Sequence, residues 1–222
     1  MTPEIPIPAT PKKLVGIPDA SIYDGIEKLG LEFDGQAFPS SLSTIFETLC
    51  KKHNPSVIVE IGSHKFGSGY QWMRHSSAHL YCVDTWLEAA DAVCCENKTY
   101  SLKYQHGHPM TYWQFLTNVK HLGFQDRVTP IINASPEGAL ILKHHGIKAQ
   151  IVYVDGSHTK RAAYYDILDY WDILESGGSM LIDDLILYPD VYAATLQFVA
   201  ENGLWNNFDI VDNKTFGLIT KP

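Results

Sequence analysis

Two apolar runs of this chain end directly on acidic residues. Residues 151–154 (Ile-Val-Tyr-Val) precede Asp155, and residues 180–182 (Met-Leu-Ile) precede Asp183 and Asp184. A helix-length segment with apolar residues at helical spacing lies between them, which predicts a strand–helix–strand unit with parallel strands. Because ligands bind at the carboxyl ends of strands in open α/β sheets, the three carboxylates are expected to meet at a ligand-binding edge. Acids crowded in this way repel one another unless a cation or hydrogen-bond donors offset their charge.

Polar residues and a glycine also follow the three strands predicted earlier in the chain. The first strand leads into a turn with Gly62, where a backbone without a Cβ atom can approach a ligand closely. The second strand ends on Asp84, a position where an acid commonly binds ribose hydroxyls. The third ends on Asn133, Ala134 and Ser135, of which the asparagine or the serine could reach a base. The turn lacks the G-x-G-x-x-G fingerprint of dehydrogenases, which favours a ligand without a pyrophosphate.

The elements that position these residues form five β/α repeats followed by an antiparallel hairpin. This order predicts a three-layer, Rossmann-like α/β fold with a seven-stranded, mostly parallel sheet. The helix of the strand–helix–strand unit is expected to stop at Gly177-Gly178. Residues 1–38, rich in proline and glycine with one short helix near residues 22–29, are interpreted as an arm or flap on a domain formed by residues 39–222.

Residues 87–109 show no clear periodicity, and a loop of this length inside a compact domain is usually functional. We interpret it as a lid or a substrate wall. His106 and His108 form an H-x-H pair within it, but no cysteine or acid stands at a spacing suited to a metal site. A lid or surface role is therefore favoured for these two histidines.

The composition limits the classes of function. The chain has 222 residues, of which 45% are hydrophobic, and a formal net charge of −8, which suits one folded domain and argues against a nucleic-acid groove. The sequence contains no apolar run long enough for a membrane span, so no transmembrane helix is expected. A signal peptide is not expected either, because the first residues lack a continuous apolar segment. The four cysteines lack C-x-x-C spacing, which indicates a reducing compartment and hence a cytoplasmic location.

Five stretches of the sequence together resemble the class I S-adenosylmethionine-dependent methyltransferases. The likeness is closest to metal-dependent small-molecule O-methyltransferases, the group of macrolide-sugar enzymes and the cephalosporin-pathway methyltransferase. It covers roughly residues 40–220 and is most specific in the Asp-Gly-Ser-His stretch and the Asp-Asp pair. The matching stretches are residues 60–68, 82–86, 112–119, 153–158 and 177–184.

The resemblance implies a methyltransferase domain over residues 39–222 and a set of functional residues. It implies Mg²⁺ (or Mn²⁺) bound by Asp155, Asp183 and Asp184, with Asp155 and His158 in catalysis and His158 as the base. Hard oxygen ligands suit such a cation, which can lower the pKa of a bound hydroxyl. The residues implied to bind S-adenosylmethionine are Glu60, Gly62, Ser63, Gly67, Ser68, Asp84, Thr85, Asn133, Ala134, Ser135 and Asp155. The chain departs from the group at His64 and Phe66, where relatives often have an aromatic residue and a glycine.

The function that follows is methyl transfer to a hydroxyl of a small molecule, such as a sugar or natural-product moiety. Two alternatives stay open at this point. The unmatched arm and the altered glycine turn also fit a non-catalytic ligand-binding or assembly protein with this fold. A metal-dependent hydrolase would use the acids and His158 but leaves Asp84 and the glycine turn without a role. Exchange of the apolar arm between subunits would also allow a homo-oligomer.

Overall fold

A computed structural model describes residues 17–35, 44–87, 103–213 and 215–222. The predictions for the first part of the arm, for the start of the domain at residue 39 and for most of the long loop lie outside these ranges. The helices are α1 (Thr44–His53), α2 (Gly67–His75), α3 (Met110–His121), α4 (Ser135–His144), α5 (Lys160–Trp171) and α6 (Pro189–Glu201). The strands are β1 (Val57–Ile61), β2 (His79–Asp84), β3 (Tyr104–Gln105), β4 (His108–Pro109), β5 (Val128–Ile132), β6 (Ala149–Val154), β7 (Leu174–Ile182), β8 (Phe208–Val211) and β9 (Phe216–Thr220).

Seven strands form one sheet in the order β5-β2-β1-β6-β7-β9-β8, and the pair β3-β4 stands apart. The first five are parallel neighbours, whereas β9 runs antiparallel to β7 and to β8. Ile61 pairs with Val83 on one side and with Val154 on the other, and Val154 pairs with Ile182. The strand ends that precede the polar residues are therefore level along one edge. The predicted seven-stranded α/β fold and its antiparallel hairpin are confirmed.

Helices cover both faces of the sheet because alternate strand residues point to opposite sides. Val59 and Val152 pack into one apolar cluster with residues of α4, α5 and α6. Ile58 and Ile151 pack into a second cluster with residues of α1, α2 and α3. The two clusters make the three layers, and each buries nearly all of its side-chain area.

One local prediction needs correction. Helix α5 ends at Trp171 rather than at the two glycines, and Gly177-Gly178 lie inside β7. The pairing of β6 with β7 shifts register between Ala149 and Ile151, and Gly177 has a φ of 78° there. A glycine pair in an irregular strand has the same sequence signature as a helix stop, so the pattern misplaced it.

The described part of the arm packs onto the domain through two short 3-10 helices, Ala20–Tyr23 and Ile26–Leu29. The buried Tyr23 donates a hydrogen bond from its hydroxyl to the carbonyl oxygen of Val128, at 2.9 Å. Residues 103–109 of the predicted long loop form the β3-β4 hairpin. No helix in the described ranges has the length and apolar composition that a bilayer crossing requires.

Candidate active site

Backbone hydrogen bonds extend the parallel pairing beyond the strand ends and fix where the site residues lie. The N–H of Gly62 donates to the carbonyl of Val83, and the N–H of Asp155 donates to that of Ile61, both at 2.9 Å. The N–H of Asp183 donates to the carbonyl of Val154, also at 2.9 Å. The glycine turn and the two acidic strand ends are thus held side by side.

Gly62 has a structural requirement of its own. Its φ is 85°, and a Cβ atom added there would lie 1.8 Å from the carbonyl oxygen of Asp155. No side-chain movement relieves a clash with a backbone atom. The neighbouring strand ends can therefore lie this close only because residue 62 is a glycine.

Gly62→Ala is expected to destabilise the fold by about 3–5 kcal/mol, the sum of left-handed strain and overpacking. Gly146→Ala is the matched control, because Gly146 has a φ of 66° but no atom within 4 Å of an added Cβ. The control should lose only about 1–2 kcal/mol. Urea unfolding of both variants measures the difference, and equal losses would contradict the close approach at residue 62.

The acidic residues divide into two groups by their contacts. Ligand atoms of Asp155, His158 and Asp184 all lie within 4.8 Å of one another. The Nε2 atom of His158 is 3.1 Å from Oδ2 of Asp184, and its ring stacks on that of Tyr188 at a centroid distance of 4.0 Å. Asp183 instead accepts hydrogen bonds on both oxygens. These residues form one polar cluster at the ends of β6 and β7.

The donors to Asp183 come from its two neighbours in the site. The Tyr153 hydroxyl donates to Oδ2 of Asp183 and also lies 3.5 Å from Oδ2 of Asp155. The N–H of Asp184 donates to Oδ1 of Asp183 at 2.6 Å. These hydrogen bonds fix the orientation of the Asp183 carboxylate beside the other two acids.

The cluster holds its negative charge at an electrostatic cost. Burial raises the pKa of Asp155 well above its ordinary value, and the carboxylates of Asp183 and Asp184 raise it further. Burial also raises the pKa of Asp183, while the hydrogen bond from Tyr153 opposes the shift. A positive charge among these groups would relieve both effects.

The glycine turn is tied to the end of β2 by Asp84. The N–H of His64 donates to its Oδ2 at 2.8 Å and the N–H of Trp86 to its Oδ1 at 2.7 Å. The indole N–H of Trp86 donates back to the carbonyl of His64 at 2.7 Å. Burial raises the pKa of Asp84, and the two N–H donors partly offset this rise. Each carboxylate oxygen can still accept a second hydrogen bond, so this structural role leaves room for a ribose hydroxyl.

Two further residues, one in β1 and one just before α2, are buried beside the turn. Glu60 is fully buried, with Oε2 at 3.6 Å from the Cys82 sulfur, and burial raises the pKa of Glu60 to about 7. Phe66 precedes α2 with a φ of 80° and packs edge-on against Phe115. At residue 66, where the chain departs from the family pattern, the phenylalanine therefore contributes its side chain to the core.

A cavity of about 450 Å³ runs along this edge of the sheet. It brings the glycine turn and the acidic cluster together in one space. Its walls in the described ranges are Phe46, Gly62, Ser63, His64, Gly67, Ser68, Gln71, Tyr153, Asp155, Asp183, Asp184, Thr215 and Phe216. The other predicted cofactor residues lie outside these walls, with Asp84 and Thr85 at the end of β2 and Asn133, Ala134 and Ser135 at the end of β5.

The profile of a family of methyltransferase domains matches residues 59–185, more than half of the chain. The chain belongs to this methyltransferase family. The matched segment begins in the strand before the glycine turn and ends just after the Asp-Asp pair, so it contains the strand ends that build the site. The predicted class I methyltransferase is thereby confirmed.

Solved structures of methyltransferases are similar to this chain in fold. A candidate caffeoyl-CoA O-methyltransferase from Staphylococcus aureus has a TM-score of 0.60 at 14% identity, with 89% of this chain and 92% of that chain covered. The O-methyltransferase from Bacillus cereus, solved with S-adenosylhomocysteine, has a TM-score of 0.58 at 12% identity, covering 93% and 94%. TomG from Streptomyces achromogenes is an O-methyltransferase of tomaymycin synthesis that was solved with S-adenosylmethionine. Its TM-score is 0.57 at 11% identity, with 91% of this chain and 89% of that chain covered. Comparison with curated proteins gave no match.

The sequence missed several cavity residues of this methyltransferase domain. Tyr153 precedes Asp155 by two positions and so shares its side of β6, a signal that the period of a strand supplies. Gln71 follows Gly67 by four positions on α2, which places both on one helix face. Phe46, Thr215 and Phe216 come from distant elements, and only the tertiary fold brings them to the cavity.

The raised pKa values predict how stability of the ligand-free domain depends on pH. Because the folded state holds Asp155 and Glu60 at raised pKa, it binds more protons than the unfolded chain, and stability falls as pH rises. Glu60 alone contributes on the order of 3 kcal/mol to this loss by the time pH exceeds its pKa. His53 and His79, whose pKa burial lowers, act in the opposite direction below about pH 6.5. The decline due to Glu60 therefore falls between about pH 4.5 and 7, and the histidines cease to oppose it above about pH 6.5.

Thermal unfolding at several pH values, with and without MgCl₂ or MnCl₂, checks this expectation. The divalent salt should restore melting temperature at the alkaline end, because a cation favours the charged form of Asp155. In Asp155→Asn the response to the cation should disappear while the contribution of Glu60 remains. A melting temperature that rises steadily from pH 6.5 to 8 would contradict the assignment.

Proposed function

We propose that this chain transfers the methyl group of S-adenosylmethionine to a hydroxyl of a small molecule, with help from a divalent cation. The observation that carries this proposal is the shared cavity, in which the glycine turn of a methyltransferase domain faces three carboxylates, with His158 beside two of them. Sugar and natural-product hydroxyls are the acceptors we favour. The similar structures are named as O-methyltransferases, one of them of tomaymycin synthesis, which supports an oxygen acceptor.

The residues of the cluster suit Mg²⁺ or Mn²⁺. Carboxylate oxygens are the ligands that both ions prefer, and the raised pKa of Asp155 reflects its burial and the negative charges of the neighbouring carboxylates. We assign Asp155 and Asp184 to direct ligation, with Asp183 as the third acid, oriented by Tyr153. A bound divalent cation lowers the pKa of a coordinated hydroxyl and orients it toward the methyl group.

His158 is the base that we propose for the acceptor proton. Its Nε2 atom lies among the acids, and stacking on Tyr188 fixes the plane of the ring. In the transfer, the acceptor oxygen forms a bond to the methyl carbon as the carbon–sulfur bond breaks. The sulfonium becomes a neutral thioether, and the hydroxyl proton goes to the imidazole.

The glycine turn and the strand ends beyond it bind the donor in this proposal. Gly62, Ser63, Gly67 and Ser68 line the cavity, where the sulfur would face the acidic cluster. Asp84 would accept from the ribose hydroxyls on its remaining lone pairs. Glu60, below the turn, supports it from the core. Thr85, Asn133, Ala134 and Ser135 remain predicted contacts for the adenosine at the ends of β2 and β5.

Two measurements test this function. Calorimetry should detect binding of S-adenosylhomocysteine, and its absence at high micromolar concentration would remove the donor assignment. A panel of hydroxylated acceptors should then show methyl transfer that EDTA abolishes and Mg²⁺ or Mn²⁺ restores. Donor binding without transfer to any acceptor would favour the non-catalytic alternative, and product release without donor would favour a hydrolase.

A further inference from the structure

We propose that Gln71 is a binding residue for the methyl donor, and that its side-chain amide recognises the zwitterionic amino-acid end of that molecule. Gln71 lies in the second turn of α2, is 2% exposed and lines the cavity. Neither its Oε1 nor its Nε2 atom has a hydrogen-bond partner within the described ranges. This inference rests on the proposed function and adds to it a residue that the family resemblance does not supply.

A buried amide without partners is unusual enough to need a physical explanation. Buried polar groups nearly always make hydrogen bonds, because an unpaired donor or acceptor keeps its full desolvation penalty. Gln150 shows the ordinary arrangement in this chain. Its Oε1 accepts from the N–H groups of Ser56 and Val57 at 2.9 and 3.0 Å, and its Nε2 donates to Glu175 at 2.8 Å. A ligand in the cavity would supply to Gln71 the partners that the protein supplies to Gln150.

The position of Gln71 on α2 indicates the chemistry of that ligand. Gly67 and Ser68 precede it by four and three residues, so all three share a helix face toward the cavity. The residue before α2, Phe66, supplies no side-chain hydrogen bond to the first turn. The free N–H groups and the helix dipole at that end favour a carboxylate. Gln71 adds one further donor and one acceptor on the same face.

Because the other parts of the donor are assigned elsewhere in the site, the cavity wall at Gln71 is the position that remains for its amino-acid end. In the proposed function the ribose lies at Asp84 and the reacting sulfur faces Asp155 and its neighbours. The third part of the donor carries an ammonium and a carboxylate. The amide carbonyl of Gln71 can accept from the ammonium, and the amide NH₂ can donate to the carboxylate. The cavity side chains of Phe46 and Phe216 are apolar and offer no such pairing.

Gln71→Met tests this assignment, because methionine keeps the length of the side chain and its helix propensity but removes the amide. The two probes are S-adenosylhomocysteine and 5′-methylthioadenosine, which shares the nucleoside and the sulfur but lacks the amino-acid end. We expect the affinity for S-adenosylhomocysteine to fall about 10- to 100-fold, as for lost hydrogen bonds to charged groups. The affinity for 5′-methylthioadenosine should stay unchanged.

Gln150→Met is the matched control, since it removes a half-buried amide that is hydrogen-bonded within the protein. It should lower the melting temperature of the ligand-free protein by several degrees and leave the affinity ratio of the two probes unchanged. Gln71→Met loses no hydrogen bond to the described part of the chain, so its ligand-free melting temperature should equal or exceed that of the wild type.

The outcomes separate this inference from the function on which it rests. Wild-type protein that binds neither probe removes the donor assignment itself. If the wild type binds both probes and Gln71→Met weakens the binding of both or of neither, the role of Gln71 is overturned and the proposed function still stands. A ligand-free melting temperature well below the wild type would show that the amide has a structural partner, which also overturns it.

Discussion

Asp184→Asn is expected to lower kcat for methyl transfer about a thousandfold, the scale of several kcal/mol of lost Lewis-acid assistance. Asparagine keeps the shape of the side chain but removes the negative charge beside Asp155 and His158. The affinity for Mn²⁺, followed by electron paramagnetic resonance, should fall in parallel. The affinity for S-adenosylhomocysteine should change little, because the donor is assigned to the glycine turn.

Asp172→Asn is a suitable control for the loss of one acid. Asp172 follows α5 at the opposite edge of the sheet, where its carboxylate pairs with Lys143 at 3.1 Å on the surface. Its replacement should leave kcat and Mn²⁺ affinity unchanged. Equal activity of the wild type in EDTA and in MgCl₂ would refute the metal role, whatever the effect of Asp184→Asn.

The acidic edge of the site was predictable because it depends on local patterns and on one rule of topology. An apolar run that ends on Asp155 and another that ends on the Asp183–Asp184 pair are strand signals with polar ends. Parallel strands joined by a helix put those ends at the same edge. The pairing of Val154 with Ile182 brings the acids level in the structure, whereas the register shift earlier in β7 was not predicted.

The donor side was less predictable because several residues there have roles in the fold. The Asp84 carboxylate holds the turn through the N–H groups of His64 and Trp86. Sequence alone gives an acid at a strand end and does not distinguish a ribose ligand from a support of the turn. Phe66 departs from the family pattern because its side chain fills the core beside Phe115.

Gln71 shows why the interior of a helix escapes sequence reasoning. A glutamine at that position is an ordinary helix former, and the pattern around it suits a solvent-facing residue. It is buried in the folded chain, where it lines a cavity together with Phe46 and Phe216, which lie far away in the sequence. Its missing hydrogen bonds are therefore visible in the tertiary structure alone.

The contacts of His158 allow it to act either as the general base or as a metal ligand, and one variant separates these two roles. His158→Gln is expected to lower kcat by about 10²- to 10⁴-fold, the usual contribution of a general base. A base accepts a proton only when it is neutral, so the fall of the wild-type rate toward acidic pH should flatten in the variant. The affinity for Mn²⁺ should remain close to wild type, because Asp155 and Asp184 supply the ligands in this assignment.

His144→Gln provides the control at the far end of the fold. His144 is the last residue of α4, at the edge of the sheet opposite the cavity, and its exposed ring contacts that of His145. Its replacement should leave the rate, its pH profile and Mn²⁺ affinity unchanged. If His158→Gln weakens Mn²⁺ binding tenfold or more, the imidazole is a metal ligand instead of the base. A nitrogen ligand would in turn favour Mn²⁺ over Mg²⁺, so the preferred metal and the identity of the base would change together.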